Sequence, residues 1–367
     1  MLNRLWDFFV ETLMVLFMPA VCSYHLLTAD LFLNVSAENA TGFEKAGNVL
    51  LTPVQYLFAG RTAVPDEEGS WKFVQRFNYY DAFWVKTGGS LIAVIPSFTL
   101  GVAVKALGYL SKEARERLLS IGRAKRSTDC RPNFDLYRSL GIATNDVDKA
   151  DRLVSQGYQR RPGDEYLLKD AKDGLAQIAA VFNNAQIVWW VDCGTCLGAL
   201  RYGGVIPWDD DIDIAILVDD FENVRRALNR LDPMKYQVQD WSSRSFPDTF
   251  FKIYSKSSGA MIDVLCFKID PQKRELSCIF SLDEAIFFPE WFKIRERRFV
   301  APASFSTLFP LKKATFDGVE VFVPNQTEEY LQRVYGKNLE PVKIYNPQSG
   351  RFENDLSHPY WQKAYVH

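Results

Sequence analysis

The chain has 367 residues, 47% of them hydrophobic, and its 43 Lys+Arg against 45 Asp+Glu leave a net charge of −2. That length allows two or three domains, that apolar fraction excludes wholesale disorder, and the charge balance gives no ground for nucleic acid as the main partner. Only three histidines occur, His25, His358 and His367, none of them central. Ser-His-Asp triads, His-assisted cysteine nucleophiles and HExxH zinc sites are thereby set aside, and any catalysis has to use carboxylates, hydroxyls, Lys/Arg or metal held by oxygen.

Six cysteines (Cys22, Cys130, Cys193, Cys196, Cys266, Cys278) are too sparse for a disulfide scaffold and fit a reducing compartment. The N-terminus has no signal-peptide pattern, because Asp7 and Glu11 interrupt its apolar residues. Residues 12–35 are strongly apolar but broken by Pro19, His25 and Asp30, and residues 49–60 are too short to span a bilayer. Residues 87–104 run 18 positions without a charge, close to the roughly 20 that a membrane helix needs. Gly88, Gly89, Pro96 and Gly101 weaken a regular helix there, yet membrane helices tolerate such breakers. Residues 1–110 are therefore read as an apolar, membrane-associated helical region, with a buried helical subdomain as the alternative. Between Lys105 and Arg138 nine basic residues face four acidic ones. Such a flank favours the cytoplasmic side and places a following catalytic domain there; it could also hold anionic lipid headgroups without any span.

Residues 111–160 are charged and punctuated by Gly and Pro, a basic linker, and no internal repeat or low-complexity tract is visible. From 161 to 345 helical and strand patterns alternate, and 346–367 reads as a C-terminal tail. A helix over 164–182 carries Leu167, Leu168, Ala171, Leu175, Ile178, Ala179 and Phe182 at helical spacing. A short strand follows at 187–191, then a helical turn at 196–202 closed by Gly203-Gly204. Residues 211–218 alternate as a strand, Asp219 or Asp220 caps a helix over 221–231, and Pro233 stops it. Strands 250–254 and 261–267 form a hairpin, residues 315–323 form another around Asp317-Gly318, and a helix runs over 328–335. This mixture indicates an α+β, mixed-sheet α/β domain.

The most informative segment is the run Pro-Trp-Asp-Asp-Asp-Ile-Asp-Ile at 207–214, with Asp209, Asp210, Asp211 and Asp213 in five positions. Like charges so close are unfavourable without solvent, a cation or basic partners. On a strand Asp211 and Asp213 share one face while Ile212 and Ile214 anchor the other, so the strand offers two oxygen ligands to Mg²⁺ or Mn²⁺. Asp263, isolated among apolar neighbours, could complete the site from an adjacent strand. A solvated acidic face would suit Asp209 and Asp210 but not Asp213, whose isoleucine neighbours indicate burial. An EF-hand is excluded because Ile214 stands where that loop needs glycine, and a lone Cys193-x-x-Cys196 is a weak redox signal. Gly194 and Thr195, between a strand and a helix, have the form of a phosphate cradle, and cradle plus three carboxylates suits phosphoryl transfer on metal ions.

Residues 191–214 and 308–336 resemble the LicD/fukutin family of nucleotidyltransferase-fold phosphotransferases, with Gly194-Thr195, Arg201, Gly203-Gly204 and Pro207–Asp213 in the family order and Cys196 and Tyr202 as departures from it. The resemblance covers roughly 165–345. It implies a polymerase β-like nucleotidyltransferase fold and transfer of phosphocholine or an alditol phosphate from a CDP-activated donor to a hydroxyl of a glycan or glycolipid acceptor, releasing CMP. Asp211, Asp213 and Asp263 would be catalytic and hold the metal, and Gly194 and Thr195 would face the donor phosphates. Arg201 and Lys252 would neutralise developing charge or form structural ion pairs. Trp208 would stack on a base or sugar or belong to the core, and Asp209 or Asp210 would orient the acceptor hydroxyl. Two rival readings stand beside this: a sugar-nucleotide glycosyltransferase using Asp-x-Asp, and a non-catalytic membrane-associated scaffold.

Overall fold

In-register pairing of two strands organises the part of the chain that carries the acidic run. A computed structural model describes residues 2–26, 32–58, 60–66, 70–142, 148–150, 153–154, 168–243, 246–279 and 289–362. The chain divides into two compact units, Leu16–Thr128 and Met1–Val15 with Asp129–His367.

In the larger unit, strand Asp211–Leu217 pairs antiparallel with Trp189–Val191 on one edge and parallel with Met261–Asp270 on the other. Met261–Asp270 also pairs antiparallel with Phe250–Ser255 and Glu275–Cys278, which extend to Tyr236–Asp240 and Ala303–Ser304. The sheet is mixed, as the sequence pattern indicates, and the parallel pair is joined by a long crossover containing helix Phe221–Leu228. Ile212, Ile214 and Ile216 point into one core, with Trp189, Val191, Ile262 and Val264. Helix Lys169–Asn184 buries Ala171, Leu175, Ile178, Ala179 and Phe182 in the same core. The alternate positions Ala215 and Leu217 enter a second core on the opposite face, with Trp190, Phe267, Leu308 and Tyr330. Asp211 and Asp213 continue that second face beyond the point where its apolar packing ends.

The expected elements recur with shifted ends. Residues 164–167 of the first helix lie outside the described residues, as do His367 and the side chain of His25. The turn expected at 196–202 is a full helix, Cys193–Tyr202. The helix expected over 221–231 stops at Leu228, followed by turn residues well before Pro233. Asp220 precedes it without capping by its side chain, because its buried carboxylate accepts instead from the Tyr137 hydroxyl. Tyr137 lies in helix Phe134–Leu140 which, like helix Lys112–Lys125, falls in the segment read as a basic linker. The hairpin Lys312–Phe316/Val319–Val323 turns through Asp317 and Gly318, both at positive φ, the conformation that a two-residue hairpin loop requires.

That hairpin is tied to the glycines of the acidic run's approach. Gly203, at φ 65°, closes helix Cys193–Tyr202. The Asp317 carboxylate reaches over to accept from the Val205 amide at 3.0 Å. Gly198 lies against the backbone carbonyl of Gly204, where an added Cβ would collide.

The unit Leu16–Thr128 contains helices Gly42–Leu50, Thr52–Phe58, Phe83–Gly108 and Lys112–Lys125 and a three-stranded sheet, Asn34–Val35, Arg61–Pro65 and Trp71–Gln75. Helix Phe83–Gly108 is long and apolar enough to cross a membrane. One side of it, Ser97, Gly101, Lys105 and Gly108, is buried against the helices of residues 42–58. Its other side is apolar and bare: Val85 is 77% exposed and Ile92 85%, with Trp84, Leu91, Ile95 and Leu100 alongside. Glu44 and Arg117, both buried, form an ion pair at 2.7 Å in the same unit. Helix Leu2–Leu26, which includes Pro19, covers the described part of the N-terminal apolar stretch.

Replacing Gly198 by Ala puts a methyl against a backbone oxygen that cannot swing aside, so Gly198→Ala should lower the stability of this unit by about 1–3 kcal/mol, measurable as a lowered urea midpoint.

Candidate active site

The site is built on the backbone of Asp213. Its amide donates to the Thr195 hydroxyl at 2.8 Å, and its carbonyl accepts from the Asp192 amide at 3.0 Å. The strand is thus locked to the start of helix Cys193–Tyr202, and Thr195, almost fully buried, acts as the peg. Asp192 is held in turn by the Tyr330 hydroxyl, 2.8 Å from its carboxylate.

Strand register then forms a transverse row. Asp213 lies beside Asp263 in the parallel pair, and Asp263 lies beside Lys252 in the antiparallel one. Asp211, Asp213 and Asp263 each bring a carboxylate oxygen within 4.8 Å of the others. The Lys252 ammonium sits at 2.6 and 2.8 Å from the two Asp263 oxygens, above the Phe250 ring. Asp209 and Asp210 form a second cluster with Asp211, Asp210 being exposed.

This crowding shows in the acidities. Burial, then the charges of Asp211 and Asp263, push Asp213 well above the usual carboxylate range. Burial followed by Asp210 and Asp263 raises Asp211 to about 6. Asp209 is raised to about 7 by burial, then by Asp211 and Asp210. Asp263 is raised by burial, against the opposing pull of Lys252. Three half-buried, mutually repelling carboxylates that expose only oxygen form a donor set suited to a hard divalent cation such as Mg²⁺ or Mn²⁺.

The structure brings Gly194, Thr195, Asp209, Asp211, Asp213, Asp263 and Lys252 into one neighbourhood. Gly194 plays a different part there from an open cradle. A Cβ on it would sit 2.5 Å from an Asp209 oxygen, so the glycine admits that carboxylate to the helix start. Cys193 beside it has φ 47°, a conformation uncommon for a residue with a side chain. The thiols of Cys193 and Cys196 are free and their pKa values are pushed up by burial and by Asp192, which disfavours the thiolate that redox chemistry needs.

Arg201 and Trp208 are directed to the C-terminal segment. The buried Arg201 guanidinium donates to the carbonyls of Leu339 and Glu340, and the Trp208 ring lies 5.1 Å from that of Phe352 in the hairpin Lys343–Asn346/Arg351–Asn354. The residues missed from sequence are Asp192, Tyr330 and these C-terminal partners. Asp192 stands inside the strand-to-helix signature itself and was legible there; the others are separated from it by more than a hundred positions.

Comparison with known proteins agrees with the resemblance. Residues 186–326 match the family described as LicD/FKTN/FKRP, nucleotidyltransferase domain. An uncharacterized protein of Rickettsia prowazekii is 28% identical over 183 residues, covering 50% of this chain and 58% of the relative. The human ribitol 5-phosphate transferase FKRP is 26% identical over 195 residues, 52% of this chain and 35% of its own length. The human ribitol-5-phosphate transferase FKTN is 34% identical over 189 residues, 48% of this chain and 35% of its own. The chain spans about half the length of the first of these relatives and about a third of the two human ones. The segment 186–326, with the carboxylate row at its centre, is thus similar to the LicD/FKTN/FKRP family.

Proposed function

We propose that this chain is a membrane-associated, metal-dependent transferase that moves a substituted phosphate, such as phosphocholine or an alditol phosphate, from a CDP-activated donor to a glycan hydroxyl, with CMP as leaving group. The observation that carries this is the row Asp213–Asp263–Lys252, with Asp211 on the same face. The ribitol-phosphate transferase names of the relatives support the substrate class. On this reading the sheet is the core of a nucleotidyltransferase fold and the catalytic domain spans 161–345.

Asp211, Asp213 and Asp263 would hold Mg²⁺ or Mn²⁺, which when bound supplies positive charge for the phosphate oxygens and aligns the attacking and leaving groups. The chain's own groups do the rest. The acceptor oxygen forms a bond to phosphorus as the bond to the CMP oxygen breaks, and the hydroxyl proton passes to a carboxylate. Asp209, raised to about 7, suits a base acting near neutrality, with Asp210 exposed beside it. Lys252 is placed to shift from Asp263 to the transferring phosphate and neutralise charge there. Thr195 keeps the Asp213 backbone in register. Membrane association rests on the bare apolar side of helix Phe83–Gly108 and the basic flank after it, with the catalytic domain on the cytoplasmic side.

Three outcomes test this reading. Asp211→Asn should cut CMP release from a CDP-linked donor by about 100-fold or more and weaken Mn²⁺ binding in parallel; normal turnover would remove the metal assignment. The metal-free protein should lose stability as pH rises. Carboxylates whose pKa values are raised in the fold contribute stability that is complete below their unfolded range near 4 and lost as pH passes about 6 for Asp211 and about 7 for Asp209. Thermal scans from pH 4.5 to 8 should show that decline, and Mg²⁺ or Mn²⁺ should reverse it at the alkaline end. The double variant Ile92→Asp/Ile95→Asp should reduce co-sedimentation with vesicles containing anionic lipid while leaving Mn²⁺ binding intact; unchanged co-sedimentation would detach the helix from any membrane role.

A further inference from the structure

A cavity of about 310 Å³ lies in the larger unit, walled by Ile294, Arg295 and Arg298 with residues 334–338 and 358–360. Its ionisable lining is Arg295, Arg298, Lys337, Tyr335, Tyr360 and His358, with no carboxylate among the lining residues. Arg295 is occupied by the Glu296 carboxylate at 2.6 Å. Arg298 instead sits among rings, its guanidinium carbon 4.8 Å from the Phe299 centroid, 5.5 Å from Tyr335 and 5.7 Å from Tyr360. Such a frame fixes a cation without neutralising it.

Two hydrogen-bonding groups of this lining are buried without a partner among the described residues, the Arg298 Nε and the His358 Nε2. His358 is only 8% exposed. Its Nδ1 accepts from the Tyr360 amide at 3.1 Å, which leaves the proton of the neutral ring on Nε2. Burial lowers its pKa and favours that neutral form. Both orphans are therefore donors, and a buried donor without an acceptor is costly. Donors, net positive charge and flat aromatic walls together suit an oxyanion carried on a ring-bearing group.

The cavity is also next to the reaction site. Tyr335, one of its walls, has its hydroxyl pushed well above the usual range by burial and then by Cys193, Asp209 and Asp213. Glu296, beside another wall, acts in turn on Asp211. Helix Thr327–Tyr335 packs on helix Cys193–Tyr202, whose N-terminus bears Gly194 and Thr195. Arg201 holds the carbonyls of Leu339 and Glu340, immediately after the 334–338 wall.

We propose that this cavity binds a phosphate group of the activated donor, with Arg298 and the Nε2–H of His358 donating to its oxygens and the Tyr335 and Tyr360 rings flanking the group attached to it. The assignment rests on the reading of the chain as a transferase of substituted phosphate and adds to it a seat in which Arg298 lies within the 186–326 match while Tyr335, His358 and Tyr360 lie beyond it. The same donors could serve a phosphate carried by the acceptor, and the choice of probes separates the two.

The test is calorimetric titration of the full-length chain with CDP, inorganic pyrophosphate and a sugar monophosphate, beside Mn²⁺ binding followed by paramagnetic resonance. CDP should bind, and Arg298→Gln should weaken CDP and pyrophosphate alike by about tenfold or more, with Mn²⁺ affinity changed less than about twofold. Arg298→Lys, which retains the charge and guards against simple misfolding, should recover part of the loss, and His358→Phe, which removes only the donor, should weaken CDP by a smaller factor. CDP affinity unchanged in Arg298→Gln would overturn the assignment, as would a loss of Mn²⁺ affinity equal to the loss of CDP. A sugar monophosphate bound tightly and lost with Arg298, while CDP is unaffected, would give the cavity to the acceptor and overturn the donor assignment. Pyrophosphate bound as tightly as CDP would keep the phosphate seat and remove the cytidine preference from the proposed function. Mn²⁺ binding without any phosphate binding would overturn the seat alone.

Discussion

Everything in the larger unit is arranged around the contact of Asp213 with Asp263, imposed by the parallel register of their strands. Two carboxylates placed side by side and half-buried repel one another, and each loses hydration. The strands tolerate them because the same residues sit on backbones anchored from behind. Ile212, Ile214, Ile262 and Val264 are all buried at the alternate positions. A one-residue slip of either strand would carry the carboxylates into the isoleucine core, so the hydrophobic pattern fixes the register and the register fixes the site.

The surroundings answer the same constraint in two ways. Lys252 supplies one charge, to Asp263, on the side away from Asp213. Thr195 and Asp192 clamp the Asp213 main chain, so repulsion cannot be relieved by moving the strand. What is left is protonation, which the raised pKa values of Asp209, Asp211 and Asp213 express, or a cation. The fold thus stores in its resting state the electrostatic strain that an oxygen-bound divalent ion would relieve, at some cost in stability near neutral pH.

Much of this was legible in the sequence because its signals are local. Strand alternation at 211–217, the Asp317-Gly318 turn and the helical spacing of 168–182 each depend on neighbours within a few positions, and each recurs in the structure. Asp263 could be singled out because a charged residue interrupts an apolar strand. Three things were not legible. Gly194 reads as space for phosphate, yet the space is taken by Asp209, fifteen residues away, once the chain folds back. Arg201 reads as a charge for the reaction, yet its guanidinium reaches carbonyls at 339 and 340. Asp220 reads as a cap, yet Tyr137, from a segment with no strong pattern, captures it. In each case a polar group found its partner through tertiary contact, which periodicity does not report.

Arg201 joins the two halves of the functional problem. It lies in the signature that defines the family match, and it holds a segment that lies beyond that match. Through it the helix that carries Gly194 and Thr195 at its start is coupled, at its end, to the wall of the 310 Å³ cavity. The carboxylate row is set by strand register alone. The cavity is assembled from Ile294, Arg295 and Arg298 with residues 334–338 and 358–360, none of which belongs to the strands that set that register. On the proposed reading one reaction could be kept while the transferred group is exchanged, because the residues that would hold metal and those that would hold the phosphate belong to different segments.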